Sequence, residues 1–367
     1  MPKKPKILIV GSGIVGASTA LACQNLGADV VVAEQGKLGG LASSNSFGWI
    51  NASFAESSAY FKLRNAAVDT FRNLKAEIDL NDCVRWQGTL WWEDGDKDLQ
   101  RQFTNLVDRG YSAKLLNKNE IKNLEPNLKD VPEVAIHTAH EGAAEADRVA
   151  LALLSKLADE GGKVISGCNV IGIKFKKGRV SGVKTNIGEM SCDMVAIATG
   201  VAAQNGLAGF DWTLPMQNKR GLIIKTCPVP DLINHVLMTN DVHFKQNVDG
   251  TITAGEIFSG DFDENIVAID LAAEVLSRLS RTLHLKTKLI STNIKIGTRP
   301  VPIDGFPVIG DIAGYKGVFV AVMHSGVTLA PLVGQLLASE MFQISKSPLL
   351  KSCLLYTSPS PRDQRGS

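Results

Sequence analysis

The segment that most constrains this chain is Gly11-Ser12-Gly13-Ile14-Val15-Gly16, together with what flanks it. Residues 7–10 before it form a short apolar run of the kind buried in a parallel sheet. After it an alanine-rich helical stretch reaches Leu26, turns at Gly27 and enters a second apolar run, 30–33, that ends in Glu34. This is a complete strand–turn–helix–strand unit. Gly11 permits the tight turn, Gly13 lets backbone approach a pyrophosphate, and Gly16 lets helix pack on strand. The helix that opens at Ile14 and Val15 offers unpaired N–H groups and a positive dipole end to phosphates. Glu34, with Gln35 beside it, stands where a carboxylate accepts hydrogen bonds from both ribose hydroxyls. It would repel a 2′-phosphate, which argues against NADP. The unit does not choose among the remaining dinucleotides.

Past Glu34, the small polar run from Gly39 to Trp49 suits a loop wrapped around a ligand. The β–α alternation then lapses. Residues 58–80 read as an amphipathic helix, with Phe61, Leu63, Ala67, Phe71 and Leu74 on one face. A tryptophan-rich strand at 88–93 and a polar helix to about 109 follow. Alternation resumes with a helix over 147–158, N-capped by Asp147 and ended by Gly161-Gly162. A β-hairpin pattern spans 163–185 around Lys177-Gly178, and a buried-strand run at 194–198 follows. Strands dominate 214–295 (220–225, 242–246 and 251–254), with one helix near 264–281. A strand at 317–322 and a helix at 326–340 close the pattern. The fold class expected is α/β. A Rossmann-like dinucleotide domain (1–50, 141–213 and 296–350) is interleaved with an α+β substrate domain (51–140 and 214–295) on a largely antiparallel sheet.

A net charge of +2 gives no electrostatic case for nucleic acid or an anionic membrane as the main partner. The six cysteines are scattered without a C-x-x-C pair, as in a reducing compartment. No run has the length of a membrane span. The expected address is therefore the cytoplasm, with the inner membrane face as a peripheral site. His137 and His140 make an H-x-x-H without a third ligand nearby in sequence, so no metal site is assigned. From Cys353 onward the chain breaks from everything before it. Residues 353–367 resemble a translated sequencing adapter and are set aside from fold reasoning, with the natural C-terminus expected to be missing.

Four separated segments, in order, carry a resemblance to the FAD-dependent D-amino-acid oxidase, glycine oxidase and D-amino-acid dehydrogenase superfamily. They are the N-terminal unit, Ala42-Ser43-Ser44-Asn45, Ala198-Thr199-Gly200, and a C-terminal pair. That pair is Arg299-Pro-Val-Pro-Ile-Asp304-Gly-Phe-Pro-Val-Ile-Gly310 and His324-Ser-Gly-Val-Thr-Leu-Ala-Pro331. The resemblance spans residues 6 to 350, and the C-terminal pair is its most specific part. It implies FAD extended across the first domain, with Gly11, Gly13, Glu34, Ser43 and Ser44 on its ADP half or linker and Val170 near the adenine. The N–H groups of Gly326, Val327, Thr328 and Leu329 would face the flavin N1/C2=O edge, where reduction places negative charge. Arg299 would bind a substrate carboxylate over the flavin; its bland alternative is an ion pair with Asp304. His324 and His243 are pocket candidates. Gly297 stands near the place where sarcosine-oxidase-like relatives carry a flavin-tethering cysteine, so non-covalent FAD is expected. The implied reaction is hydride transfer from the α-carbon of an amino acid or secondary amine to flavin N5, giving an imine that hydrolyses. Oxygen or a quinone would be the acceptor. The rivals are an NAD-dependent dehydrogenase and a non-catalytic FAD-binding subunit.

Overall fold

The computed structural model describes residues 4–55, 57–93, 96–255 and 268–351. The tail from Cys353 and residues 264–267 of the expected helix lie outside them. A six-stranded sheet runs in the order Val308–Asp311, Val318–Val322, Met194–Ile197, Lys6–Val10, Asp29–Glu34, Lys163–Ser166. All its pairings are parallel except the one between Val308–Asp311 and Val318–Val322. Its central strand shows why the sequence reads as an unbroken apolar run. Ile7 and Ile9 belong to one apolar cluster, with the helices Ile14–Asn25, Ala146–Asp159 and Gly326–Met341. Leu8 and Val10 belong to another, with the small sheet Val170–Lys176, Arg179–Thr185 and Gly188–Met190. Both faces are covered, so neither can be polar.

The second large sheet has eight strands. Its order is Ser291–Pro302, Met216–Thr226, Ile252–Gly255, His243–Gln246, Val236–Met238, Thr89–Trp91, Val134–Thr138, Lys114–Asn117. Two distant stretches of chain meet in it through the parallel pairing of Val236–Met238 with Thr89–Trp91, and the other pairings are antiparallel. No helix among the described residues is long and apolar enough to cross a membrane.

Several local readings are revised. The helix expected over 58–80 is Ser58–Leu74, with the Ser57 hydroxyl accepting the Tyr60 N–H at 3.2 Å. It ends because the chain turns at Lys75, and Asp79 then accepts the Asn81 N–H at 3.0 Å. The helix expected over 147–158 is Ala146–Asp159, capped by Glu145, not Asp147, and without a side-chain bond, because Glu145 is held by Lys225 and Arg148. Lys163–Ser166 joins the parallel sheet, so the hairpin comprises only the two strands around Lys177-Gly178. The strand Ser291–Pro302 carries residues 296–302 into the eight-stranded sheet rather than the dinucleotide unit. Within the described residues the helix expected over 264–281 is Ala268–Thr282.

Candidate active site

The turn after the first strand is held by packing that tolerates no side chain. A Cβ on Gly16 would lie 2.0 Å from the Gly11 carbonyl oxygen, so this glycine sets how closely the helix sits on the strand. The carboxylate of Glu34 locks the other side. Its Oε2 accepts the Ser12 N–H and hydroxyl at 2.9 and 2.8 Å, and its Oε1 accepts the Gly36 N–H at 2.9 Å. Residues 41–44, read from sequence as loop, form a one-turn helix that brings the Ser43 hydroxyl to the Ile14 N–H at 3.1 Å. Gly40 rests against Gly13 so tightly that a Cβ there would lie 2.6 Å from the Gly13 Cα. Backbone, a hydroxyl and a helix N-terminus therefore converge without bulky side chains, a surface suited to a pyrophosphate.

This surface forms part of the wall of a cavity of about 1560 Å³. That exceeds the few hundred to ~1,000 Å³ of sites for drug-sized ligands and suits an extended dinucleotide with a substrate beside it. Gly11, Gly13, Ile14, Val15, Glu34 and Gln35 line it, as do Ala42, Ser43 and Asn45. Val170 and the Ala198-Thr199-Gly200 turn also border it. Arg299, His324 and His243 line it as well, with Gly326, Val327 and Thr328 at the start of a helix whose first residue packs beside Val15. Three of the sequence-selected residues are not part of the lining. Gly16 lies behind the turn. Ser44 closes its helical turn, its hydroxyl donating to the Leu41 carbonyl at 3.1 Å. Leu329 is fully buried, and its N–H is spent on the Ser325 carbonyl at 3.1 Å. The helix N-terminus thus offers Gly326 to Thr328, not Leu329, as donors to a ligand.

Arg299 extends across its neighbouring strand. A Cβ on Gly221 would meet the Arg299 Nη2 at 2.7 Å, so the guanidinium lies over that glycine's backbone. Burial lowers Arg299 to about 10, which leaves it charged at neutral pH. His324 borders the cavity and is pushed down to about 4, first by burial and then by the charges of Arg299, Arg64 and Lys219. It is therefore a neutral imidazole above about pH 5.

The sequence reading missed several residues of this site. Arg64 is buried at the cavity wall, where its Nε donates to the Asn51 carbonyl at 3.1 Å and its Nη1 to that of Phe54 at 2.8 Å. Its Nη2 bonds the Asn51 side-chain oxygen, and burial lowers its pKa. Beneath the same segment, the fully buried Glu141 accepts the N–H groups of Ala52 and Ser53, each at 3.1 Å. The Tyr111 hydroxyl at 2.9 Å, the Trp49 indole at 3.2 Å and the Ser53 hydroxyl complete the set. A buried carboxylate needs such a set, and this one fixes the wall-forming residues Trp49, Asn51 and Phe54. Thr328 joins that wall to the last helix, its hydroxyl accepting the Asn51 N–H at 3.2 Å. Glu93 also lines the cavity, 2.6 Å from His243. The H-x-x-H histidines point to separate partners: His137 packs on the His235 ring at 5.3 Å, and His140 meets Asp69 at 2.7 Å.

A largely parallel dinucleotide-type sheet, a largely antiparallel sheet and a large cavity lined from both define the architecture of a dinucleotide-dependent enzyme. A family model described as FAD dependent oxidoreductase matches residues 6–340, and the chain belongs to that family. It is 26% identical over 356 residues to glycine oxidase of Geobacillus kaustophilus, covering 92% of this chain and 93% of that enzyme. It is also 26% identical over 229 residues to the hydrogen cyanide synthase subunit HcnC of Pseudomonas aeruginosa, a match spanning 60% of this chain and 54% of that subunit. The solved L-amino acid deaminase from Proteus vulgaris superposes with a TM-score of 0.88 at 18% identity, over 98% of this chain and 95% of that one, a likeness of fold. The protein is an FAD-dependent oxidoreductase.

Proposed function

We propose that this enzyme oxidises the carbon–nitrogen bond of an amino acid or secondary amine whose carboxylate is anchored by Arg299. The observation that carries the reading is the Arg299 guanidinium, charged and laid over Gly221 on the cavity wall. A planar fork of donors in that position suits a bidentate carboxylate contact, which fixes the neighbouring Cα–H bond in one orientation. The names of two similar proteins, glycine oxidase and L-amino acid deaminase, support the same class of substrate.

When bound, the flavin supplies the hydride acceptor for the substrate α-carbon. The protein's part is to hold and orient. The Ile14–Asn25 helix N-terminus and Ser43 would face the pyrophosphate, and Glu34 the adenosine ribose. The first N–H groups of the Gly326–Met341 helix would face the end of the cavity where negative charge accumulates. Gly297 packs so closely on Asn45 that a Cβ there would lie 2.7 Å from the Asn45 Cβ, in keeping with non-covalent binding. His324, neutral, adds no competing positive charge beside Arg299. The substrate amine must lose its proton to yield an imine, so turnover rises with pH until that group is neutral. Water hydrolyses the imine, and oxygen or a quinone-linked acceptor takes the electrons onward.

The test is titration of the holoenzyme with propionate, an unreactive carboxylate, followed by the flavin absorbance. Arg299→Met should weaken propionate roughly ten- to hundredfold, the loss of a charge-assisted pair, while FAD content stays unchanged. Equal affinity in the two proteins would remove Arg299 from the anchoring role.

A further inference from the structure

The cavity-facing side of the eight-stranded sheet carries charge at both ends and apolar surface between. Register fixes which residues share that face, because directly opposed residues in neighbouring strands point the same way. Arg299 pairs with Lys219 and Gly297 with Gly221. Further along the same face, Ile223 pairs with Gly255, Gly255 with His243, and His243 with Met238. The guanidinium of Arg299 reaches along this face to lie over Gly221. From Gly221 to His243 is two residues along a strand and two strands across. With ordinary strand spacings that is about 12 Å between Cα atoms. Ile223 and Gly255 lie between, and Met238 flanks His243 on the next strand, with Ile223 and Met238 both lining the cavity.

Beyond them stands Glu93, just past the Thr89–Trp91 strand. Its Oε2 lies 2.6 Å from the Nε2 of the buried His243. The Glu93 side chain is 18% exposed and borders the cavity. A carboxylate has about four lone-pair directions, so the imidazole contact leaves it able to accept from a ligand as well. The Asn240 amide, oriented to donate, holds the carbonyls of Trp92 and Glu93 at 2.6 and 2.9 Å and steadies this segment. The cations of the wall are gathered at the other end, where Arg299, Arg64 and Lys219 all act on His324.

We propose that Glu93, oriented by His243, is the specificity-determining residue of this site, and that the favoured substrate carries a second, cationic group a few carbons from its carboxylate. This rests on the reading of Arg299 as the carboxylate anchor. A substrate spanning the two ends lays its carbon chain on Ile223 and Met238 and places an ammonium or similar donor at Glu93. A second carboxylate there would meet like charge, and a purely apolar chain would leave Glu93 desolvated without a new partner.

The experiment is calorimetric titration of the holoenzyme with ω-amino acids of four to six carbons and with the parent fatty acids of the same length, in the wild type and in Glu93→Gln. Neither ligand class has an oxidisable α-amine, so binding is read apart from chemistry. The wild type should favour at least one ω-amino acid over its parent acid by about tenfold or more. Glu93→Gln should erase that preference by weakening the ω-amino acid, with the parent acid bound as well as before or better. No preference at any length in the wild type would overturn the proposal, and that result needs no variant to fold. A preference that survives in Glu93→Gln, or an equal loss for both ligands, would also overturn it. Loss of Arg299 anchoring is distinguishable, since the parent acids would then fail to bind at all.

Discussion

Replacing Gly221 by alanine separates the positioning of Arg299 from the stability of the fold. The added Cβ would lie 2.7 Å from Arg299 Nη2 and 3.3 Å from its Nε. The closer contact is shorter than van der Waals separation allows, so an atom must move. The one that gives is the end of a flexible side chain, while the backbone of the long Met216–Thr226 strand stays paired with Ser291–Pro302 along its length and with Ile252–Gly255 at 223–225. Alanine is no worse than glycine in a strand interior and reduces the unfolded chain's freedom, a gain of about 0.4–1 kcal/mol. The fold should therefore survive with an unchanged or slightly raised melting temperature. The displaced guanidinium loses its bidentate geometry, at roughly 1.5–3 kcal/mol for a charge-assisted bond. At 1.4 kcal/mol per decade this corresponds to a rise of about ten- to hundredfold in KM or in the Kd of propionate. Steady-state kinetics, propionate titration and thermal melting on the same FAD-saturated protein provide the assay. An unchanged KM would refute the placement of Arg299 as anchor. A large drop in melting temperature would instead make Gly221 a packing residue.

Two further outcomes follow from the same contacts. Gly16→Ala drives a Cβ to 2.0 Å from a backbone oxygen that cannot swing away, so the purified protein should be colourless or insoluble, as read by its flavin absorbance. Burial holds the Lys245 ammonium at about 7 instead of 10.5. The folded state then binds fewer protons than the unfolded state between those values, so stability rises with pH across that window. Lys245→Met should flatten that rise in denaturant melts and add up to roughly 4 kcal/mol at pH 7, because Glu145 keeps Lys225 and Arg148 as partners.

The dinucleotide turn was legible because its determinants are consecutive in the chain: glycines, a helix start and an acid at a fixed distance. Arg299 was legible through its proline-rich setting and the resemblance it carries. Glu93, Gly221 and the row from Ile223 to Met238 were not, since they meet only when residues 89–138 and 216–302 join in one sheet, through a parallel pairing with no local signature. Arg64 sits in an amphipathic helix whose apolar face was read correctly. Its burial depends on carbonyls at 51 and 54 that arrive from outside that helix. Leu329 was over-assigned for a simpler reason: the fourth residue of a helix already has a carbonyl to bond.

The most direct measurement of the central claim is the absorption spectrum of the FAD-loaded enzyme, recorded anaerobically before and after adding glycine, sarcosine, proline, D-amino acids and basic amino acids in turn. The account predicts that at least one of these bleaches the flavin band, that the Arg299→Met protein bleaches far more slowly, and that the amine-free parent acids only perturb the band. A spectrum that none of them changes would contradict the assignment of amino-acid or amine oxidation to this site.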